Sequence, residues 1–224
     1  MDQQTAEHPF EAGLDRHRAN FVPLSPISFL RRAVASFSDK TAVIDGERRF
    51  SYAELYERSV RLASALADRG VRRLDTVAIL ASNVPEMIEA HFAVPMLGAV
   101  LNPLNTRLDA ATIAFSLNHG QAKVLIVDRE FAALVSIARL QLDHEVLVVD
   151  IENPGLPDAP ALGDITYEAL LASGDPTFDA EVTATLGRIQ SSGAELPAPP
   201  TDYPDMLGQS LPVGFQCTVE KFCE

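Results

Sequence analysis

The feature that most constrains this chain is an alternation of short apolar runs with longer amphipathic stretches between residues 76 and 150. The apolar runs have the length of strands and cover residues 76–80, 100–101, 123–128 and 145–150. Apolar residues at helical spacing between them predict helices over 85–97, 109–118 and 131–140. Strands that are apolar on both sides need cover on both faces. The pattern therefore predicts an α/β fold of alternating helices and mostly parallel strands.

Local signals define three elements ahead of this alternation. Ser25 can accept a backbone N–H and so cap a helix at its start. The pair Asp45-Gly46 is typical of a tight turn and predicts a hairpin of two short strands. Ser51 and Glu54 have the spacing of a capping box, which predicts another helix directly after the hairpin.

Composition divides the chain into three parts. Residues 1–20 are polar and irregular, and we expect them to form a mobile arm. Residues 21–181 contain the predicted helices and strands and form the expected domain. Residues 182–224 contain five prolines and four glycines without a strong period. Because proline interrupts both helices and strand ladders, we expect this C-terminal tail to be irregular and poorly structured.

The net charge and the length of the apolar runs restrict which binding partners and which cellular compartment we expect for this protein. The formal net charge is -13 at pH 7. Such a surface repels phosphate backbones and anionic lipid, so we expect neither nucleic acid nor a membrane surface as a partner. No apolar run reaches the ~18 residues of a membrane-spanning helix, and the N-terminus lacks the plan of a secretion signal. The default expectation is a cytoplasmic protein. The two cysteines, Cys217 and Cys223, indicate neither a zinc site nor a disulfide framework.

Motifs for nucleotide and metal chemistry are absent from the sequence. It contains neither G-x-x-x-x-G-K-[ST] nor G-x-G-x-x-G. The nearest candidate for a phosphate-binding turn, residues 190–193, is more typical of a flexible linker. No two histidines have the i, i+4 spacing of a helical metal pair, so we predict no metal site and no catalytic residue. His91 could act as a base, but a partly buried histidine satisfied by a backbone carbonyl is the ordinary interpretation.

The segment 102–109 holds the one candidate binding residue. It follows a predicted strand and precedes a predicted helix. In an open α/β sheet, ligands gather at the carboxyl ends of the strands, so Arg107 could meet a phosphate there. The alternatives are a surface ion pair with Asp109 or the capping of a neighbouring helix.

Several runs of this sequence resemble the N-terminal region of AMP-forming acyl-CoA synthetases, a family that includes aryl-CoA ligases and luciferases. The runs occur in the family's order, at residues 51–55, 75–86, 91–102, 104–115, 122–131 and 166–175. They include Ser-Tyr-Ala-Glu-Leu, Ala-Ser-Asn-Val-Pro-Glu and Leu-Asn-Thr-Arg-Leu-Asp. The last three runs narrow the resemblance to the fatty-acyl and medium-chain acid:CoA ligase branch.

The resemblance implies the N-terminal part of the adenylate-forming enzyme fold and a two-step reaction. A fatty or other carboxylic acid would react with ATP and Mg²⁺ to give an acyl-adenylate and pyrophosphate, and CoA would then displace AMP. In some relatives an arginine in the setting of Arg107 contacts a phosphate of CoA. The family's phosphate loop and catalytic lysine lie downstream of the matching runs. The expectation is therefore a truncated, inactive synthetase that binds none of ATP, CoA and Mg²⁺ tightly.

Two alternatives stay open. One is a non-catalytic fragment that pairs with a full-length synthetase or with itself, because a half-completed sheet exposes an edge and apolar surface. The other is an unrelated nucleotide-binding α/β domain, which would require a phosphate cradle. The change in composition near residue 182 also suggests a shifted reading frame for the tail. The sequence does not predict which acid would be used.

Overall fold

A computed structural model of the chain describes residues 25–178. The arm expected at 1–20 and the tail expected at 182–224 lie outside the described residues. The helices are α1 (Pro26–Phe37), α2 (Tyr52–Asp68), α3 (Pro85–Met96), α4 (Ala110–His119), α5 (Ala132–Arg139) and α6 (Tyr167–Ala172). The strands are β1 (Thr41–Asp45), β2 (Arg48–Ser51), β3 (Thr76–Leu80), β4 (Val100–Pro103), β5 (Ala122–Asp128), β6 (Leu147–Ile151) and β7 (Ile165–Thr166).

Five strands form one parallel sheet in the order β4-β3-β5-β6-β7. Strand β3 lies between β4 and β5, and Val77 pairs with Leu101 on one side and with Val124 on the other. Strands β1 and β2 form a separate antiparallel hairpin. Its turn contains Gly46 at φ +56, a conformation that glycine adopts without strain. The predicted α/β fold is confirmed.

The helices cover both faces of the sheet, and alternate strand residues pack into two apolar cores. Val77 and Ile79 join a core with residues of α1, α2, α3 and α6. Ala78 and Leu80 join a second core with residues of α4 and α5. This two-sided cover is the reason why the parallel strands read as continuous apolar runs.

Side-chain caps begin three of the helices where the sequence predicts them. The Ser25 and Ser51 side chains each accept a backbone N–H three residues on, and each takes part in a reciprocal capping box. The Asp109 side chain accepts from the N–H of Thr112 at 2.7 Å and begins α4. These short-range bonds explain why the helix starts could be predicted from local sequence.

Two features of the sheet differ from the sequence expectation. Strand β4 extends through Pro103, although proline lacks the N–H of a ladder. The Val100 N–H donates to the carbonyl of Asp75, just before β3, and the Leu104 N–H donates to the carbonyl of Ile79 in β3, so by alternation the Pro103 nitrogen faces outward and no ladder bond is lost. Strand β7 was not predicted, because its two residues are too short to produce a pattern.

Candidate functional site

The carboxyl ends of β3 and β5 form the place in this sheet where a ligand is expected. The loop after β3, residues 81–84, leads to α3 on one face, whereas the residues after β5 lead to α5 on the other face. Neighbouring strands whose connections leave toward opposite faces create a crevice between their loops, and such crevices bind ligands in open α/β sheets. Ser82 Oγ donates to Glu130 Oε2 at 3.2 Å across this gap. We call the region between residues 81–84 and 129–131 the carboxyl-edge crevice.

Arg107 lies in the loop that follows β4, the strand beside β3. Leu104 N–H donates to the Ile79 carbonyl at 2.8 Å, which ties the start of this loop to the sheet. Asn105 Oδ1 accepts from the Arg107 N–H at 2.9 Å, and the Leu108 N–H donates to the Asn105 carbonyl at 3.2 Å. The loop is therefore held by its own hydrogen bonds at the edge where the sequence placed it.

The Arg107 side chain is exposed and forms no hydrogen bond or ion pair with any part of the chain between residues 25 and 178. The ion pair with Asp109 that the sequence allowed is not formed. Asp109 caps α4 instead, and hydrogen bonds from Thr112 lower the pKa of its carboxyl. Within residues 25–178 the exposed guanidinium is therefore not held by an ion pair.

The polar residues on the other side of the crevice are engaged in structural bonds. Asp150 is 1% exposed and accepts from the N–H groups of Leu162 and Gly163 at 3.0 and 2.8 Å, and from Arg129 Nε at 3.3 Å. Asp128, also buried, accepts from Asn153 Nδ2 at 3.2 Å. These bonds fix the loops after β5 and β6. Across residues 25–178 no group of three His, Cys, Asp or Glu side chains is arranged to hold a metal ion.

His91, the candidate base, is held by its own helix. His91 is exposed on α3, and its Nδ1 lies 2.7 Å from the Met87 carbonyl in the same helix. The carbonyl contact matches the ordinary interpretation, but the expected partial burial is wrong, because the His91 side chain is exposed. Residues 190–193, the faint phosphate-loop candidate, lie outside the described residues.

A buried polar cluster on α3 was not predicted. Glu89 is fully buried; its Oε1 accepts from Arg58 Nε at 2.6 Å and its Oε2 accepts from the Tyr167 hydroxyl at 2.8 Å. Arg58 also donates to Glu168 at 2.6 Å and lies 5.3 Å from the centre of the Phe50 ring. Burial raises the pKa of Glu89 against the opposing effect of Arg58, and burial also raises the pKa of Tyr167. The cluster joins α2, α3 and α6.

A second carboxylate, one turn earlier on α3, extends this cluster toward the hairpin. Glu86 is 3% exposed, and its Oε1 accepts from Arg48 Nη1 at 2.7 Å. Arg48 also donates to Asp45 in the hairpin. Glu86 Oε2 is buried and has no hydrogen-bond partner among the residues described. The sequence signal was two glutamates three residues apart in a helix whose other residues, apart from His91, are apolar.

A groove of about 530 Å³ lies along α2 and α6, and Arg58 and Arg61 are among its lining residues. Glu54, Glu57 and Glu168 also line it. Because Arg58 is already paired with two carboxylates, this groove has no cation in surplus to attract a phosphate. The loop after β4, where the Arg107 side chain is exposed and has no partner among residues 25–178, is the better candidate for an anionic ligand.

Comparison with known proteins places these observations among CoA ligases. The sequence profile of the family described as AMP-binding enzyme matches residues 30–191. A peroxisomal butyrate–CoA ligase of Arabidopsis thaliana is 44% identical over 164 residues, which cover 71% of this chain and 29% of the relative. A peroxisomal benzoate–CoA ligase of the same plant is 40% identical over 177 residues, covering 77% of this chain and 30% of the relative. An acetate–CoA ligase of Humulus lupulus is 41% identical, and the aligned residues cover 74% of this chain and 31% of the relative.

Solved structures agree with this placement. An anthranilate CoA ligase in complex with anthranoyl-AMP superimposes with a TM-score of 0.66 over 73% of this chain and 30% of that one. At 23% identity this similarity shows the fold alone. A putative long-chain-fatty-acid CoA ligase from Rhodopseudomonas palustris is 31% identical with a TM-score of 0.60, covering 69% of this chain and 37% of that one. The chain spans about 30% of the length of the curated relatives it matches.

Proposed function

Because the chain belongs to the AMP-binding enzyme family, we propose that it forms the N-terminal part of an AMP-forming acyl-CoA ligase. The observation that carries the proposal is the 44% identity with a butyrate–CoA ligase over 164 residues. The parallel sheet with helices on both faces, which superimposes on CoA ligases, supports it independently of sequence. The whole enzyme would join a carboxylic acid to CoA through an acyl-adenylate, with ATP as the second substrate and Mg²⁺ as cofactor.

The described residues do not fit the ATP- and Mg²⁺-binding part of that chemistry. Phosphoryl chemistry requires dense positive charge or a metal around the reacting phosphorus. Residues 25–178 contain no acidic metal cluster, and the whole 224-residue sequence contains no Gly-rich phosphate motif. Its lysines are at 40, 123 and 221 only. We therefore assign the ATP- and Mg²⁺-binding groups of the whole enzyme to residues other than 25–178.

Arg107 is the residue we propose to contact the substrate, through a phosphate of CoA. Its support is geometric: the side chain is exposed at the carboxyl edge of the sheet, and its loop is held by two backbone–backbone hydrogen bonds and one from the Arg107 N–H to the Asn105 side chain. An arginine guanidinium without an internal partner offers its N–H donors to phosphate oxygens without first breaking an ion pair.

We further propose that the 224 residues alone do not form an acyl-adenylate. The test is pyrophosphate release from ATP and Mg²⁺, with acetate, butyrate, benzoate and longer fatty acids as substrates. A full-length CoA ligase relative serves as positive control and heat-treated chain as negative control. The expected result is release at the level of the heat-treated chain, and turnover clearly above that level overturns this part of the proposal.

The acid, the compartment and the partners are further proposals with separate tests. The relatives are named for acetate, butyrate and benzoate, whereas the sequence favours the fatty-acid branch, so the substrate panel must span both. The sequence expectation is cytoplasmic, whereas two of these relatives are named peroxisomal, and imaging of the tagged natural protein decides between the compartments. Among residues 25–178 no helix is long and apolar enough to cross a bilayer.

The outer edge of the sheet disfavours pairing with a full-length synthetase, or with a second copy, by strand addition. Along the outer edge of β4, Leu101 offers its N–H, but Pro103 has none to offer. Strand addition at this edge would therefore lack a donor at its centre. Size-exclusion chromatography with light scattering, with and without a full-length relative, measures whether any pairing occurs.

A further inference from the structure

The Glu86 carboxylate is poorly satisfied for a group that is 3% exposed. One oxygen accepts from Arg48 at 2.7 Å, and the other is buried without a donor among the residues described. A buried acceptor without a partner keeps its loss of hydration uncompensated. A contribution to stability is therefore a poor explanation for this side chain.

The charge around Glu86 leads to the same conclusion. Two guanidinium groups, Arg48 from β2 and Arg58 from α2, are shared among four carboxylates. These carboxylates are Asp45, Glu86, Glu89 and Glu168. Buried ion pairs can often be replaced by apolar side chains of similar volume without loss of stability, because neither charge then has to leave water. An excess of negative charge strengthens that expectation.

The position of Glu86 gives it a different role. It lies in the first turn of α3, two residues after Val84, the last residue of the loop that forms one wall of the carboxyl-edge crevice. Unlike α1, α2 and α4, helix α3 has no side-chain cap at its start. The Val84 N–H donates to the Ser82 carbonyl at 2.9 Å and the Met87 N–H donates to the Val84 carbonyl at 3.0 Å. These bonds are local, whereas the Glu86–Arg48 bond reaches the hairpin.

We propose that Glu86 is a positioning residue: its ion pair with Arg48 holds the start of α3 against the hairpin and so sets the 81–84 wall of the carboxyl-edge crevice. The pair rigidifies this wall at the expense of global stability. The inference rests on the proposed function only for the identity of the ligand that the crevice accepts. Whether the Glu86–Arg48 pair holds the wall can be measured without any ligand. Failure of this positioning role therefore does not imply failure of the proposed function, and the reverse also holds.

Native-state hydrogen exchange on the full 224-residue chain tests the proposal. The variant is Arg48→Met/Glu86→Met, which replaces the pair by apolar side chains of similar length, and Glu86→Gln is measured beside it. The reporters are the amides of Val84 and Met87 in the wall and of Ile126 in the buried centre of β5. Lys123→Met is the matched control, because it breaks the Lys123–Asp75 ion pair at the opposite end of the sheet.

The expected result is exchange at least about tenfold faster at Val84 and Met87 in the double variant, with Ile126 unchanged or slower and the urea midpoint unchanged or raised. Glu86→Gln keeps an oxygen for Arg48 but loses the charge, so we expect a smaller increase at the same two amides. Lys123→Met should leave both amides unchanged. The proposal is overturned if the double variant fails to fold, if all three amides accelerate together, or if the two wall amides stay as protected as in the unmodified chain.

Discussion

Replacing Arg58 by methionine should destabilise the protein by an amount that depends strongly on pH. Arg58 and Glu89 are joined at 2.6 Å, with side chains 19% and 1% exposed. Methionine keeps the packing of the arginine stem but leaves Glu89 with the Tyr167 hydroxyl as its remaining donor. Breaking a buried ion pair by removing one partner typically costs about 3–5 kcal/mol.

The loss in the free energy of unfolding caused by Arg58→Met has an upper limit, because Glu89 can take up a proton instead of staying charged. With an ordinary value of 4.5 for a glutamate, protonation at pH 7 costs about 3.4 kcal/mol, at 1.36 kcal/mol for each pH unit. We therefore expect a loss of about 3 kcal/mol at pH 7. Burial already raises the folded-state pKa of Glu89, and loss of Arg58 removes the opposing effect and raises it further. The variant's stability is therefore greatest below the unfolded pKa and falls more steeply than that of the unmodified chain as pH rises. At pH 5.5 the loss should be smaller by about 2 kcal/mol.

Urea unfolding followed by circular dichroism at pH 7.0 and 5.5 measures both quantities. Glu57→Gln is the control, since it breaks an exposed i, i+4 pair with Arg61 and should cost about 0.3–0.5 kcal/mol at pH 7. Arg58→Met/Glu89→Met removes the orphaned charge but leaves the buried Tyr167 hydroxyl without its acceptor, so it should recover only part of the loss at pH 7. A loss below about 1 kcal/mol, or the same loss at both pH values, would refute the reasoning that Glu89 is held charged by Arg58.

Three further predictions concern separate parts of the fold. Tyr167→Phe removes the hydroxyl that donates to Glu89 and should cost about 1–3 kcal/mol in urea unfolding, whereas Tyr52→Phe, whose ring is part-exposed, should cost less. Gly174→Ala should lower the free energy of unfolding by at least about 1–3 kcal/mol, because the added Cβ would lie 2.0 Å from the Arg61 carbonyl oxygen. An unchanged urea midpoint would contradict the close approach of Gly174 to α2. Arg107→Ala should leave the midpoint within about 0.5 kcal/mol, and a larger change would mean that Arg107 has a structural partner.

Short-range signals explain how much of the fold could be predicted. The Ser25 and Ser51 caps depend on residues three apart, and the apolar runs of β3 and β5 follow from cover on both faces. Such features depend on residues that are close together in the sequence, so local patterns predict them.

Long-range partners explain what could not be predicted. Arg48 and Glu86 are 38 residues apart, and Tyr167 and Glu89 are 78 apart, so no local pattern links them. Strand β7 depends on Val149 and Asp150 as pairing partners rather than on its own two residues. Arg107 could be placed at the edge of the sheet from strand order alone, but its freedom from Asp109 required the side-chain geometry.

If this chain forms the N-terminal part of an AMP-forming acyl-CoA ligase, as we propose, residues 30–178 should function inside a full-length relative. The most direct measurement grafts residues 30–178 into the benzoate–CoA ligase of Arabidopsis thaliana in place of the matching segment. The purified chimera is first required to be monodisperse and to melt cooperatively, and is then assayed for benzoate-dependent ATP–pyrophosphate exchange and for the KM of CoA. The account predicts exchange, with Arg107→Ala raising the KM of CoA while leaving the exchange rate unchanged. A folded chimera without any exchange would contradict it.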